Sequence, residues 1–205
     1  MGGKSRGAES GRAAGGAGTF KVLAALFLLL AVAGCETVNL NHAVTGTACA
    51  TRAQCLKDLN LPNPEAPEYV FVVDPYTISQ RVGGSFGASL FGPVNRGDAD
   101  ICVAKALAEE FGDSARIVFD KKGLRGPYVE IKITGAEFRS AYTAGWYMQI
   151  DYRLTAGGKS TPLAAKTGIA NFWSEQKAVE TQYPEACRIL ARQVRENLGK
   201  TAAGY

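Results

Sequence analysis

Hydrophobic residues recur along the chain at several spacings, and each spacing predicts a different element. Val22–Gly34 is a run of thirteen residues without a charge. Tyr69–Val73 is a shorter run rich in β-branched and aromatic residues, stopped by Asp74-Pro75, and predicts a buried strand. Further on, Val129, Ile131 and Ile133 alternate with Tyr128, Glu130 and Lys132. Trp146, Met148, Ile150, Tyr152 and Leu154 alternate in the same way with Tyr147, Gln149, Asp151 and Arg153. Period two is the signature of half-buried strands. "ARIVFD" reads as a short strand before them, "TAGGK" as a turn after them, and residues 162–173 as a returning strand, so 114–173 predicts an antiparallel meander.

Helical spacing appears twice. Ile101, Ala104, Leu107, Ala108 and Phe111 precede Gly112 and predict a helix over about 98–111, with Asp98 or Asp100 as N-cap. Cys187, Leu190, Ala191, Val194 and Leu198 form the apolar stripe of a second helix over about 180–198, closed by Gly199. The order β-α-β-β-β-β-α predicts one α+β domain over 68–200, followed by a flexible tail at 201–205. Its expected core is a mainly antiparallel sheet of four to five strands with both helices on one face.

The first apolar run is too short for a bilayer span, which needs about 20 residues, and Lys4, Arg6, Arg12 and Lys21 precede it, so residues 1–34 read as a signal peptide. Val32-Ala33-Gly34-Cys35 resembles the lipobox of bacterial lipoproteins. The resemblance implies cleavage before Cys35, a diacylglycerol on its sulfur and an acyl group on its new amino terminus. Several acyl chains hold a protein on a membrane essentially permanently. Glu36 occupies the position at which aspartate favours inner-membrane retention in that family, so the resemblance implies an outer-membrane lipoprotein facing the periplasm. Residues 35–67, polar and ending in "NLPNPEAPE", read as an extended tether carrying a small cysteine loop.

Removing the leader also removes most of the net charge of +4, leaving 19 basic against 18 acidic residues. That balance lacks the basic excess of a nucleic-acid binder. Besides Cys35, the mature chain holds Cys49, Cys55, Cys102 and Cys187, an even number in a chain addressed to an oxidising compartment. Proximity favours Cys49–Cys55 within "CATRAQC", which leaves Cys102–Cys187 to join the two helices; the alternative for that pair is two buried thiols. No histidine accompanies these cysteines at a zinc spacing, so no metal is expected.

Little in the sequence points to catalysis. The single histidine, His42, falls in the predicted tether, away from any packed cleft that could orient it. Asp98 with Asp100, and Glu109 with Glu110, read as helix-start and surface acids, and Asp74 as a turn former. "VGGSFGASLFG" has neither the Gly-Lys-Ser/Thr ending of a P-loop nor GxGxxG spacing. Its Phe86, Leu90 and Phe91 form either an apolar lip, for a partner, a groove or a membrane, or part of the core. Among the aromatics of the meander, Tyr128 and Tyr147 fall opposite the stripe that holds Trp146 and Tyr152, with Phe172 and Trp173 further on; an edge strand there suits β-augmentation.

The element order over 68–198 resembles small accessory lipoproteins of Gram-negative envelopes, among them the ABC-transport auxiliary lipoproteins and the lipopolysaccharide-assembly lipoprotein. It rests on order and not on a diagnostic motif. It implies a non-enzymatic protein that binds or scaffolds envelope components, with a membrane contact through its anchor and a protein partner. The alternative is a carrier of an apolar ligand in a groove between helices and sheet. No cofactor is expected beyond the covalent N-acyl diacylglycerol on Cys35.

Overall fold

The computed structural model describes residues 37–47, 49–81, 94–140, 145–170 and 175–202. In chain order the elements are Thr37–Asn39 (β1), Asn41–Thr45 (α1), Arg52–Asp58 (α2), Tyr69–Val73 (β2), Thr77–Arg81 (β3), Val94–Asp98 (β4), Ala99–Phe111 (α3), Ala115–Val118 (β5), Val129–Ser140 (β6), Trp146–Ala156 (β7), Lys159–Lys166 (β8) and Glu175–Ala202 (α4). The class is α+β, built on two sheets and not on one: β5-β2-β6-β7-β8 and β1-β4-β3.

The alternating segments behave as their period requires. In β7, Met148, Ile150, Tyr152 and Leu154 are buried, while Gln149, Asp151 and Arg153 between them are not. Gly157 and Gly158, both at positive φ, make the two-residue turn into β8, as a type I′ hairpin needs. Because the turn is that tight, β8 begins at Lys159, earlier than the sequence suggested.

Only β6, β7 and β8 form the expected antiparallel meander. β5 instead pairs in parallel with β2, and β2 in parallel with β6, so the sheet is mixed. The helix α3 between β2 and β5 supplies the crossover that parallel neighbours need. The helices α3 and α4 pack against each other and on this sheet, α4 over β7 and β8 and α3 over β2, β5 and β6. Cys102 and Cys187 are joined across them, with Cα atoms 5.9 Å apart. The stripe on α4 starts earlier than expected, since Val179 and Tyr183 extend it by whole turns, and the helix runs through Gly199 to Ala202.

Residues 37–59, expected to be tether, are instead built into the fold. β1 pairs with β4, the Leu40 amide donates to the Arg96 carbonyl at 2.6 Å, and Leu40 and Val44 are buried in the main core. The Cys49–Cys55 disulfide packs on Ile101 of α3. The proline-rich stretch from Asn60 to Glu68 has neither helix nor strand, and it links α2 to β2 inside the domain. This third layer explains why α3 is buried almost all round, Cys102, Val103 and Ala106 included.

The glycine-rich segment is flanked by strands that its sequence did not announce, β3 and β4. β3 continues the direction of β2. Val73 pairs with Ile131, and seven residues later the Gln80 amide donates to the Phe138 carbonyl at 2.9 Å and accepts from the Phe138 N–H at 2.8 Å, the same offset of 58 positions. The ends of β3 and β6 therefore lie together. Register places the starts of β4, β1 and β7 there too, through the pairs Val94↔Arg81, Thr37↔Val94 and Ser140↔Trp146.

Gly97 in β4 is set by contact, because a Cβ there would lie 2.8 Å from the Leu40 Cβ and 3.1 Å from the Tyr183 hydroxyl. Among the described residues that buried hydroxyl has no hydrogen-bond partner. An unmatched buried hydroxyl costs about 1–3 kcal/mol, so Tyr183→Phe is expected to raise stability by about 1 kcal/mol in denaturant titration. Burial also holds the hydroxyl protonated well above its ordinary pKa of 10.0. A folded-state pKa raised in this way supplies stability below pH 10 that is lost as pH rises further, and Tyr183→Phe should flatten that alkaline loss. A destabilised Tyr183→Phe, or an unchanged alkaline slope, would contradict this.

Candidate functional site

The acidic pair at the start of α3 sits in a cluster of polar contacts, and its members are not simple caps. Asp98 occupies the N-cap position without a side-chain bond to its own helix. Its carboxylate accepts from Thr77 Oγ1 at 3.0 Å and Asn41 Nδ2 at 2.9 Å, and its backbone N–H donates to Asn41 Oδ1 at 2.8 Å. Asp100 is fully buried, accepts from the Tyr76 N–H at 3.1 Å and is paired with Arg52 of α2. The hydrogen bond to Asp100 is the main reason that the guanidinium is held above its ordinary pKa. Arg52 also lies over the Phe119 ring, 5.5 Å from its centroid.

This cluster borders a cleft of about 240 Å³ that Asn39, Arg96 and the Cys49–Cys55 loop also line. Each carboxylate is spent on two fixed partners, so neither is placed as a free general base. What the geometry does is fasten: Asn41 and Arg52, from the segment once expected to be tether, grip the first residues of α3. Arg52 was missed in the sequence because its partner lies 48 positions away. One signal was present: "ICVAKALA" is too apolar for a helix covered on one side only.

Glu109 and Glu110 are partnered as well. Glu109 faces Lys105 and Arg188, and Glu110 bonds Arg195 at 2.7 Å, so both link α3 to α4 across its exposed rim. Exposed pairs of this kind contribute little each. Asp74 donates its backbone N–H to the Ile131 carbonyl at 3.1 Å, closing β2 against β6. His42 is exposed on α1. Among the described residues no group of three or more His, Cys, Asp or Glu side chains could hold a metal ion, and no helix is long and apolar enough to cross a membrane.

A second cleft, of about 390 Å³, lies beside the turn between β5 and β6. Exposed Arg116, Lys122 and Arg125 line it with Asp120 and with Tyr128, which is 39% exposed. Register puts Tyr128 at the start of β6 and Ser140 at its far end, so this basic cleft is some twelve residues, roughly 40 Å, from the end where β1 begins.

Cys35 and Glu36 lie outside the described residues, as do the apolar Phe86, Leu90 and Phe91, and Phe172 and Trp173. The flanking Arg81 and Val94 are paired side by side at the end of the three-stranded sheet.

No protein-family model matches the chain, and no curated protein matches it. Solved structures similar to it include an uncharacterized protein, 11% identical, with a TM-score of 0.43 over 64% of this chain and 93% of that one. Protein XCC0632 from Xanthomonas campestris, of family model DUF330, is 12% identical with a TM-score of 0.41 over 71% and 95%. A PelC dodecamer from Paraburkholderia phytofirmans is 13% identical with a TM-score of 0.30 over 64% and 93%. At these values the likenesses carry no functional argument.

Proposed function

We propose that the mature chain, from Cys35 onward, is an outer-membrane lipoprotein facing the periplasm. It is held by an N-acyl diacylglycerol group on Cys35 and serves as a non-enzymatic binding or scaffolding component of envelope transport or assembly. The observation that carries this reading is Val32-Ala33-Gly34-Cys35 at the end of a thirteen-residue apolar run, with Glu36 next and the first strand beginning at Thr37. Two closed disulfides in the domain suit an oxidising compartment.

A binding role is favoured by the way the polar groups are used. The carboxylates at the start of α3 are committed to partners within the fold, whereas Arg116, Lys122 and Arg125 stand exposed around an open cleft. Apolar carriage has less support, since the space between helices and sheet is filled by Phe71, Ile131, Met148, Ile150, Leu107 and Leu190, all buried in one core.

The anchor is tested by growing a Gram-negative host with an alkyne fatty acid. Wild type is expected to take up the label and to sediment with the outer membrane on a density gradient, and Cys35→Ser to take up none. Equal labelling of Cys35→Ser would overturn the assignment.

A further inference from the structure

We infer that the end of the domain bearing the β1 start, Trp146, Tyr147 and Ile169 is a membrane-apposed surface that lies against the phospholipid headgroups of the bilayer holding the Cys35 lipid. The inference rests on the anchoring proposed above and adds to it an orientation and a second contact.

The first support is where the chain enters the fold. Thr37 is already paired in a sheet, and only Glu36 separates it from Cys35. Two residues of extended chain reach at most about 7 Å. A domain whose first strand begins that close to its lipid cannot stand away from the membrane; the end that carries Thr37 must face it.

The second is what else lies at that end. The offset shared by Val73–Ile131 and Gln80–Phe138 makes β3 and β6 finish together. By register, Thr37, Val94 and Arg81 share this end with Arg139, Tyr147 and Trp146. The backbone of Trp146 bonds that of Ala170 twice, at 3.1 and 3.0 Å, which holds Ile169 beside it. Ile169 is 52% exposed, a large apolar side chain fixed in the open by a paired backbone.

The third is the chemistry of the side chains. Trp146 and Tyr147 are both half-buried, and the Lys166 ammonium lies 4.1 Å from the Tyr147 ring centroid. Arg139 is exposed at the neighbouring position and pairs with Glu137. Trp and Tyr concentrate where membrane meets water, and Lys and Arg beside them face anionic headgroups. Exposed Ile169, the two aromatics on either face of the β7 start and the cations Lys166 and Arg139 gather at one end of the sheet. That set suits a headgroup layer, and the proposed anchor holds this end against one.

The test uses the full chain, purified from membranes with its lipid and reconstituted into phosphatidylethanolamine/phosphatidylglycerol vesicles. Ile169→Cys and, at the far end of β6, Tyr128→Cys are each labelled with an environment-sensitive fluorophore and quenched by nitroxide on the headgroup or shallow acyl carbons. Quenching at 169 at least threefold stronger than at 128 is expected. In a Trp173→Phe chain, which keeps Trp146 as its one tryptophan, shallow brominated lipid should quench the remaining emission; this arm needs no label and so serves if a cysteine variant misfolds. Equal quenching at 169 and 128, or a Trp146 untouched by brominated lipid, on a chain whose Cys35 is acylated by mass, would overturn the apposition and leave the anchor standing. A Cys35 without acyl mass would overturn both.

Discussion

Replacing Cys102 and Cys187 together by alanine is expected to cost about 4 kcal/mol, the larger of the two strongest effects. The bridge closes a loop of 85 residues, and on the chain-entropy estimate a loop of that length removes about 4–5 kcal/mol of freedom from the unfolded ensemble. It also joins the two helices whose contact forms the second layer, so no other covalent constraint replaces it. Cys49–Cys55 spans only 6 positions, and the same estimate gives about 2 kcal/mol for it. Urea unfolding of the two double-alanine proteins should separate them by about that difference. A long-range variant no less stable than the short-range one would show that the unfolded chain is held together by something else.

Arg52→Ala is expected to cost about 2–3 kcal/mol. Asp100 is fully buried while Arg52 is about one-third exposed. Truncating Arg52 would therefore leave a buried carboxylate with the Tyr76 N–H as its one remaining partner among the described residues. Breaking a buried pair from one side costs about 3–5 kcal/mol, and the exposure of Arg52 places the effect at or just below the low end. The penalty comes from charge left behind, so it should shrink when that charge is removed: in an Asp100→Asn background, Arg52→Ala should cost less than about 1 kcal/mol. Chemical denaturation of the four proteins of this cycle reads the coupling directly. Additive losses would mean that Arg52 acts through its packing on Phe119 alone. The consequence is structural, since Arg52 and Asn41 are the grips by which residues 37–58 are fastened to α3.

Those grips account for the main departure from the sequence. Residues 37–59 scatter their apolar residues singly or in short groups, most of them small, but Leu40, Val44, Cys49 and Cys55 are each buried, and together they cover the outer side of α3. Their spacing follows neither a helical nor a strand period, because short elements and a disulfide loop divide them. The apolar circumference of α3 was the one legible sign that something had to cover it. The strands β3 and β4 were hidden for a related reason: "TISQR" and "VNRGD" are polar, and each is held by its neighbours more than by its own composition.

What was legible depended on local periodicity. β2, β6, β7 and α3 fall close to where alternation and 3.6-residue spacing put them. Proximity favoured Cys49–Cys55 and left Cys102 and Cys187 as either a bridge or two buried thiols; both bridges are present. Pairing across long separations was not legible: β5 reads as the first strand of a meander, yet the α3 crossover sets it parallel to β2 at the sheet edge. The end-on gathering of Thr37, Trp146 and Ile169 comes from register, which a linear pattern of side chains does not contain.

A lipid on Cys35, as proposed above, would leave only Glu36 before the sheet and would set the domain against the membrane. Mass spectrometry of the N-terminal peptide of the full chain, extracted from membranes with detergent, tests the lipid most directly. The predicted peptide begins at Cys35, lacks residues 1–34 and carries the mass of an N-acyl diacylglycerol group. A mature chain that begins elsewhere, or a peptide with an unmodified Cys35, would contradict it.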